Sequence, residues 1–530
     1  MTITMNKRQL LQLALAQGAL SALPLPAAAQ GGKELQMAIA VSPTSLDPHF
    51  QDVFTNTQAL LQIYQPLLGQ DPTGALVPYL ATSWKSIDDT TWEVKLRRGV
   101  KFHDGTPFEA EDVAFSFARV PNVPGAIAPF TANVRDVKSV EVVSPDTVHF
   151  KLGSPDPIFD YKLGQVCMLS RKVHANAVPA DFNSGKLAIG TGPYKYGAFT
   201  SGEKLELLAN ADYWGGKPAW DKVSIKYVVD PGARIAALRA GEVDLIDGVP
   251  VQDVESLRTD KKLALFSAPA FLNVYLMLDS ARENSPFVSD NSGQPLKKNP
   301  LQDVRVRKAL TLAVDRAGIV SRLMVGQGTV ADQLAGVTVP DRVQGLPPLK
   351  QDLEEAKKLL KQAGYPEGFH LTIHGPNGWF ANDTKVIQAV AQGFSRIGVK
   401  TEVEVLPTAM LQTKARAQAF TVSMSAFQSA YALVILRYTA MTPDSAAGNG
   451  TSNVTKYSNP KIDALMTSAL KEMNVDKRKA LTNAAMREYM ADAGMIPLFS
   501  TKPNWAGRKD RVVYSANAMS RTSAFYAKPA

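Results

Sequence analysis

The sequence predicts a mixed α/β or α+β protein with more than one lobe. Three observations carry this. Strand-like and helix-like segments are mixed along nearly the whole chain, a pattern that layered α/β architectures produce. The chain has 530 residues, and at about 150 residues per domain that is two large lobes or three smaller units. It is 45% hydrophobic and 20% charged with a single cysteine, Cys167. That composition excludes a disordered chain and a disulfide-stapled scaffold, and it lets each lobe bury its own core.

The elements follow in chain order. Residues 35–41 read as a first strand, ended by Ser42 and Pro43. Asp52 to Leu68 reads as a helix with Leu60, Leu61 and Tyr64 at helical spacing. Trp92 to Leu96 alternates as a half-buried strand does, and Asp104-Gly105 marks a turn. Glu109 to Val120 reads as a helix with acids in its first turn, where carboxylates favour the helix dipole. Two strand-like runs flank Ser144-Pro145-Asp146, and 222–229 is another. Ala233 to Ala240 is a short helix closed by Gly241, and 271–278 is apolar enough for a buried strand. Asp303 to Ala313 is a helix, and Asp315 caps the next. Leu353 to Ala363 has the clearest helical signature: Asp352 as N-cap, Glu355 completing a capping-box pair, Gly364 and Pro366 at its end. His370 to His374, Asp383 to Ile397 and Lys400 to Leu406 make a βαβ unit. Asn459-Pro460 opens one late helix and Asp476 another, running to about Ala493.

The N-terminus reads as a targeting segment rather than part of the fold. Lys7 and Arg8 precede the apolar stretch Leu10 to Ala22, then Pro24, Pro26 and Ala27-Ala28-Ala29. This order predicts a secretory signal peptide (residues 1–29) cleaved before Gln30. Lys7-Arg8 also fits a twin-arginine motif with lysine first. The segment has no cysteine, so no lipid anchor is expected. No later run is long and apolar enough to span a bilayer. The expected location is the periplasm.

The net charge of +9 raises a nucleic-acid reading, which the charge pattern does not support. Arg305, Arg307 and Lys308 lie beside Asp303, and Lys357, Lys358 and Lys361 beside Glu354 and Glu355, as on solvated helix faces. No aromatic-basic stripe of the single-strand-binding kind is present.

The search for chemistry yields no catalytic constellation. There is no G-x-S-x-G and no P-loop motif. Pro193 removes a donor from the glycine-rich run Gly190-Thr191-Gly192-Pro193-Tyr194, which reads as a tight turn. His370 and His374 on one strand stand about 13 Å apart, too far to share an ion. Cys167 between Val166 and Met168 reads as a small core residue. No cofactor, no metal site and no enzymatic step are expected.

Several motifs carry a resemblance. They include Leu46-Asp47-Pro48, Tyr64-Gln65-Pro66-Leu67-Leu68 and Leu80-Ala81-Thr82-Ser83-Trp84. The run Leu96 to Gly105 (LRRGVKFHDG) and Pro107 to Val113 (PFEAEDV) continue it. So do Gly190 to Tyr194, Tyr213-Trp214-Gly215-Gly216, Arg239 to Asp244, Asp303 to Leu310, Ala363 to Pro366 and Tyr457 to Pro460. Together they resemble the extracellular solute-binding proteins, family 5, which serve dipeptide, oligopeptide and nickel ABC importers. The resemblance implies an α/β, two-lobed periplasmic-binding-protein fold of the cluster C type, with a hinge and an extra subdomain in the first lobe. Residues 30–269 and 497–530 would form the first lobe and 270–496 the second, with crossings near Phe271 and Pro497. It implies capture of a small solute between the lobes and delivery to ABC permease subunits in the inner membrane, as a monomer. The alternatives are a non-peptide ligand (a nickel chelate, a sugar or an opine), a ligand carrier for a chemoreceptor and, remotely, a secreted hydrolase.

Peptide-binding relatives carry, in the second lobe, an aspartate that holds the peptide amino terminus. The matching stretch here, Ser425 to Leu433, has no acid. An ammonium group buried there would lack its partner. The stretch offers Phe427 and Ser429, and Arg437 follows it as a candidate partner for a ligand carboxylate, which arginine binds bidentately. Trp379 is a candidate stacking group, and Phe271 and Asn273 at the expected crossing complete the set.

Overall fold

The computed structural model describes residues 33–126 and 130–530. The expected signal peptide lies outside the described residues. Two seven-stranded sheets organise the chain. The first runs in the order Leu263–Ser267, Asn504–Arg508, Leu245–Asp247, Glu34–Ile39, Lys222–Tyr227, Lys204–Ala209, Tyr194–Thr200. The second centres on Leu272–Leu278, between Val422–Gln428 and Met495–Thr501, and extends to the parallel pair His370–Asn377 and Lys400–Pro407. A separate four-stranded antiparallel sheet (Ala81–Asp88, Thr91–Leu96, Thr147–Leu152, Val137–Ser144) forms a subdomain beside the first. Each unit has its own core: Trp92, Phe117, Phe150 and Phe159 pack together in the subdomain, and Trp220 and Trp505 in the first large sheet.

The chain passes from the first sheet to the second between Ser267 and Leu272 and returns between Thr501 and Asn504. Pro497, expected at the return, is still paired with Tyr275 inside the second sheet. Proline keeps its place there because only its missing N–H is lost to the ladder, while its carbonyl accepts from Arg316 Nε at 2.6 Å.

Locally encoded elements appear close to where the sequence puts them. Leu353–Gln362 starts at Asp352, whose carboxylate accepts from the Glu355 amide at 3.0 Å, and Gly364 takes a φ of 93° after its end. Glu355 does not return the capping bond; it pairs with Lys358. The late helix Val475–Ala491 is capped by Asn474 rather than Asp476, because the Asn474 side chain reaches the Lys477 amide at 3.0 Å.

The expected helix Asp52 to Leu68 is confined to Phe54–Leu60. A distant loop ends it. The carbonyls of Gln62 and Ile63 accept from Tyr194 and Gly192 at 3.0 and 2.8 Å, so they are unavailable for a further helical turn. A Cβ on Gly190 would lie 2.0 Å from the Ile63 oxygen. The glycine-rich run therefore serves close backbone approach.

Asp47 of the Leu46-Asp47-Pro48 motif is fully buried in the first lobe. It binds Arg119 through two bonds, Nη1 to Oδ1 at 2.9 Å and Nη2 to Oδ2 at 2.6 Å. His49 completes the group, its Nδ1 3.2 Å from Arg119. Burial, then the nearby guanidinium, pushes the imidazole from 6.5 down to about 4, so it stays neutral.

Candidate ligand-binding site

Two neighbouring cavities share Thr451 in their linings, and one of them stands where the lobes face each other. The larger has walls from both lobes. Arg135, Asp136, Asp156 and Lys162 come from the first, and Arg437, Tyr438 and the 444–449 turn from the second. The smaller lies within the second lobe and opens over the second sheet between Tyr275, Ser425, Trp379 and Arg416.

The helix Ala432–Thr439 carries Arg437 to the large cavity. Its guanidinium is steadied by neutral groups, the Asn449 amide oxygen at 3.1 Å and the Ala447 carbonyl at 2.8 Å. Neither neutralises its charge. From the opposite lobe, Arg135 reaches over the same turn: a Cβ on Gly448 would sit 3.3 Å from its Nη1. Asp156 and Asp136 hold Lys162 at 2.6 and 3.4 Å, and Asp444 accepts from the Ala446 and Ala447 amides. The lining of the cavity thus includes two guanidiniums, one from each lobe.

Trp379 lies half-buried at the smaller cavity, on the turn after the strand His370–Asn377. Asp383 holds that turn, accepting from the Trp379 amide at 2.8 Å. Phe427 stands behind Tyr438, ring centroids 6.0 Å apart. Phe427 and the other three candidates line neither cavity. Ser429 is buried and accepts from the Tyr431 amide. Asn273 is enclosed between Ser500 and the Phe271 carbonyl. Phe271 is wholly buried, and a Cβ on Gly74 would lie 2.3 Å from its ring. These two occupy the crossing between lobes, with internal partners.

The structure adds groups that no local pattern announced. Tyr161 of the first lobe meets Tyr431 of the second edge to face at 5.4 Å. The loop without an acid of its own receives one from outside, since Asp341 accepts from the Ala432 amide at 2.9 Å. Burial raises its carboxyl. Asp160, next to Tyr161, is pushed by burial to about 6. Glu402 and Glu404, acids lying between Asp383 and Asp444, sit on the outer strand Lys400–Pro407 and face His370 and His374 at 3.6 and 3.1 Å. Among the described residues no three His, Cys, Asp or Glu side chains converge to hold a metal ion. Burial pushes the Cys167 thiol up to about 12, as suits a core residue.

Two lobes of mixed α/β structure around an interlobe cavity define a solute-binding protein of the clamshell type. The description "Bacterial extracellular solute-binding proteins, family 5 Middle" matches residues 75–449. The chain belongs to that family, the solute-binding components of ABC importers. It is 28% identical over 549 aligned positions to the "Glutathione-binding protein GsiB" of Pectobacterium atrosepticum, covering all of this chain and 98% of that protein. Its counterpart from Escherichia coli K12 is 26% identical, with 89% of each chain covered. Among solved structures, HbpA2 from Haemophilus parasuis superposes with a TM-score of 0.79 at 25% identity, over 94% of this chain and all of that one. DppA from Helicobacter pylori in complex with the peptide STSA gives 0.75 at 25%, over 94% and 98%. NikZ from Campylobacter jejuni in complex with Ni(L-His) shares the fold, at 0.75, 22% identity and coverage of 93% and 99%.

Proposed function

We propose that this chain is an exported, periplasmic and monomeric protein. It captures a small carboxylate-rich, peptide-like solute between its lobes and presents it to ABC permease subunits, with no chemical step of its own. Residues 1–29 are the leader. The hinge lies at the two sheet-to-sheet crossings, so the first lobe comprises residues to about 269 plus the C-terminal return. The observation that carries the ligand class is Arg437, at the interlobe cavity with only neutral partners. A ligand carboxylate pairs with it, Arg135 closes on the same anionic end from the other lobe, and Trp379 covers an apolar part of the ligand. Relatives named as glutathione-binding proteins supply the first probe, since glutathione carries two carboxylates.

Thermal-shift measurements with glutathione, alanyl-glutamate, glutarate, trialanine and nickel-histidine test this. A ligand at 100 times its dissociation constant adds about 2.7 kcal/mol to stability. Glutathione, alanyl-glutamate or glutarate is expected to raise the melting temperature and trialanine to leave it nearly unchanged. Equal stabilisation by trialanine, or stabilisation by nickel-histidine alone, overturns the acidic-solute reading.

A further inference from the structure

We propose that the helix Phe159–Leu163 of the first-lobe subdomain is an acid-favoured clasp, which holds the lobes together at a second place besides the hinge by docking on Tyr431, Met473 and Arg478 of the second lobe. The proposal rests on the interlobe reading above and not on which solute is bound.

The two lobes exchange apolar side chains at this seam. Ile158, just before the helix Phe159–Leu163, is buried in the second-lobe core with Tyr457, Met466 and Met486. In return Met473, between the late helices Pro460–Ala469 and Val475–Ala491, packs against the subdomain core of Trp92, Phe150 and Phe159. Tyr161, on the same helix, meets Tyr431 edge to face. Opening the lobes returns these side chains to water, so the seam favours the closed form. Lys162 of this helix lines the interlobe cavity, and Leu470 and Lys471 line it from the other lobe, so the clasp borders the ligand space.

Asp160 stands at the seam, between Phe159 and Tyr161. Its carboxylate accepts from the Tyr161 amide at 2.8 Å. Arg478, on the helix Val475–Ala491, and Trp84, on the strand Ala81–Asp88, favour its charged form, and Asp156 opposes it. Arg478 is shared: its Nη1 is spent on the carbonyls of Glu472 and Met473 at 2.9 and 3.2 Å. Asp156 is itself paired with Lys162 at 2.6 Å. From the second lobe, Asp341 acts on Tyr431 as Asp160 does, with Lys479 and Arg478 in its own surroundings. Closure therefore brings one carboxylate from each lobe toward the same tyrosine. Loss of hydration in the closed seam moves the Asp160 carboxyl from 3.8 up to about 6. The closed form thus holds this proton more tightly than an open form in which water reaches the carboxylate. Its contribution to closure is complete below pH 3.8 and is lost as pH rises through about 6.

Calorimetric titration of the full mature chain with glutathione at pH 7.5 and pH 5 tests this, using wild type, Asp160→Asn and Met473→Gln. Wild type is expected to bind about tenfold more tightly at pH 5. Asp160→Asn, neutral at both values, is expected to bind at pH 7.5 about as tightly as wild type does at pH 5, with little further gain on acidification. Met473→Gln weakens binding at both values, and unliganded melting temperatures identify any variant with a folding defect. Equal wild-type affinity at the two pH values, or the wild-type dependence retained in Asp160→Asn, overturns the clasp and leaves the acidic-solute reading standing. Absence of glutathione binding at both values counts against that reading instead. The clasp is then decided by small-angle X-ray scattering of the unliganded chain. Its radius of gyration is expected to shrink from pH 7.5 to pH 5 in wild type and not in Asp160→Asn, and equal wild-type radii overturn the inference.

Discussion

Replacing Asp47 by alanine tests the reading that the first lobe is organised around a buried ion pair. Asp47 and Arg119 have side chains 0% and 7% exposed. The substitution removes both guanidinium bonds and the bond from the His49 amide to Asp47 Oδ1 at 3.0 Å. Arg119 keeps only the Ala177 carbonyl at 3.3 Å, the neutral His49 ring and a place 5.1 Å from the Phe182 ring. A buried charge stripped of its counter-ion costs about 3–5 kcal/mol. That is a large share of the roughly 5–15 kcal/mol that holds a domain folded. The lobes have separate cores, so differential scanning calorimetry should resolve the loss as an earlier first-lobe transition with the second-lobe transition unmoved. The double substitution Asp47→Leu with Arg119→Met removes both charges and should recover most of the loss. A cost below about 1 kcal/mol for Asp47→Ala, or a double variant worse than the single, would refute the reasoning.

Gly190→Ala places a methyl 2.0 Å from the Ile63 oxygen, and Gly192→Ala one 2.6 Å from the Gln62 oxygen; each should cost about 1–3 kcal/mol or more in urea unfolding. Native Cys167 should resist a thiol reagent at pH 8 and react fully once denaturant exposes it, because burial holds the thiol proton. His49 titrates at about 4 folded against 6.5 unfolded. The unfolded state therefore binds the extra proton between those values, and its contribution is complete above pH 6.5 and falls as pH drops toward 4. The full swing is about 3 kcal/mol, and His49→Gln should flatten the fall in stability measured from pH 7 to 4.

Elements specified by near neighbours were legible in the sequence. The helix Leu353–Gln362 has its cap, apolar face and terminating glycine within fourteen positions, and the βαβ unit beside it appears as expected. The helix at Phe54–Leu60 was overestimated because its end is fixed by Gly192 and Tyr194, about 130 positions away. The resemblance put a crossing near Pro497; that proline's place in the sheet depends on Arg316 and Tyr275, which only the folded chain brings together. At the site, Trp379 and Arg437 could be singled out, one after a turn and one after the aromatic stretch. Asp341, 91 residues from the amide it caps, could not.

The most direct test of the account is isothermal titration of the mature wild-type chain and Arg437→Ala with glutathione. The account predicts saturable one-to-one binding by the wild type and a loss of about tenfold or more in the variant, with an unchanged unliganded melting temperature. Equal affinity in the two proteins would contradict it.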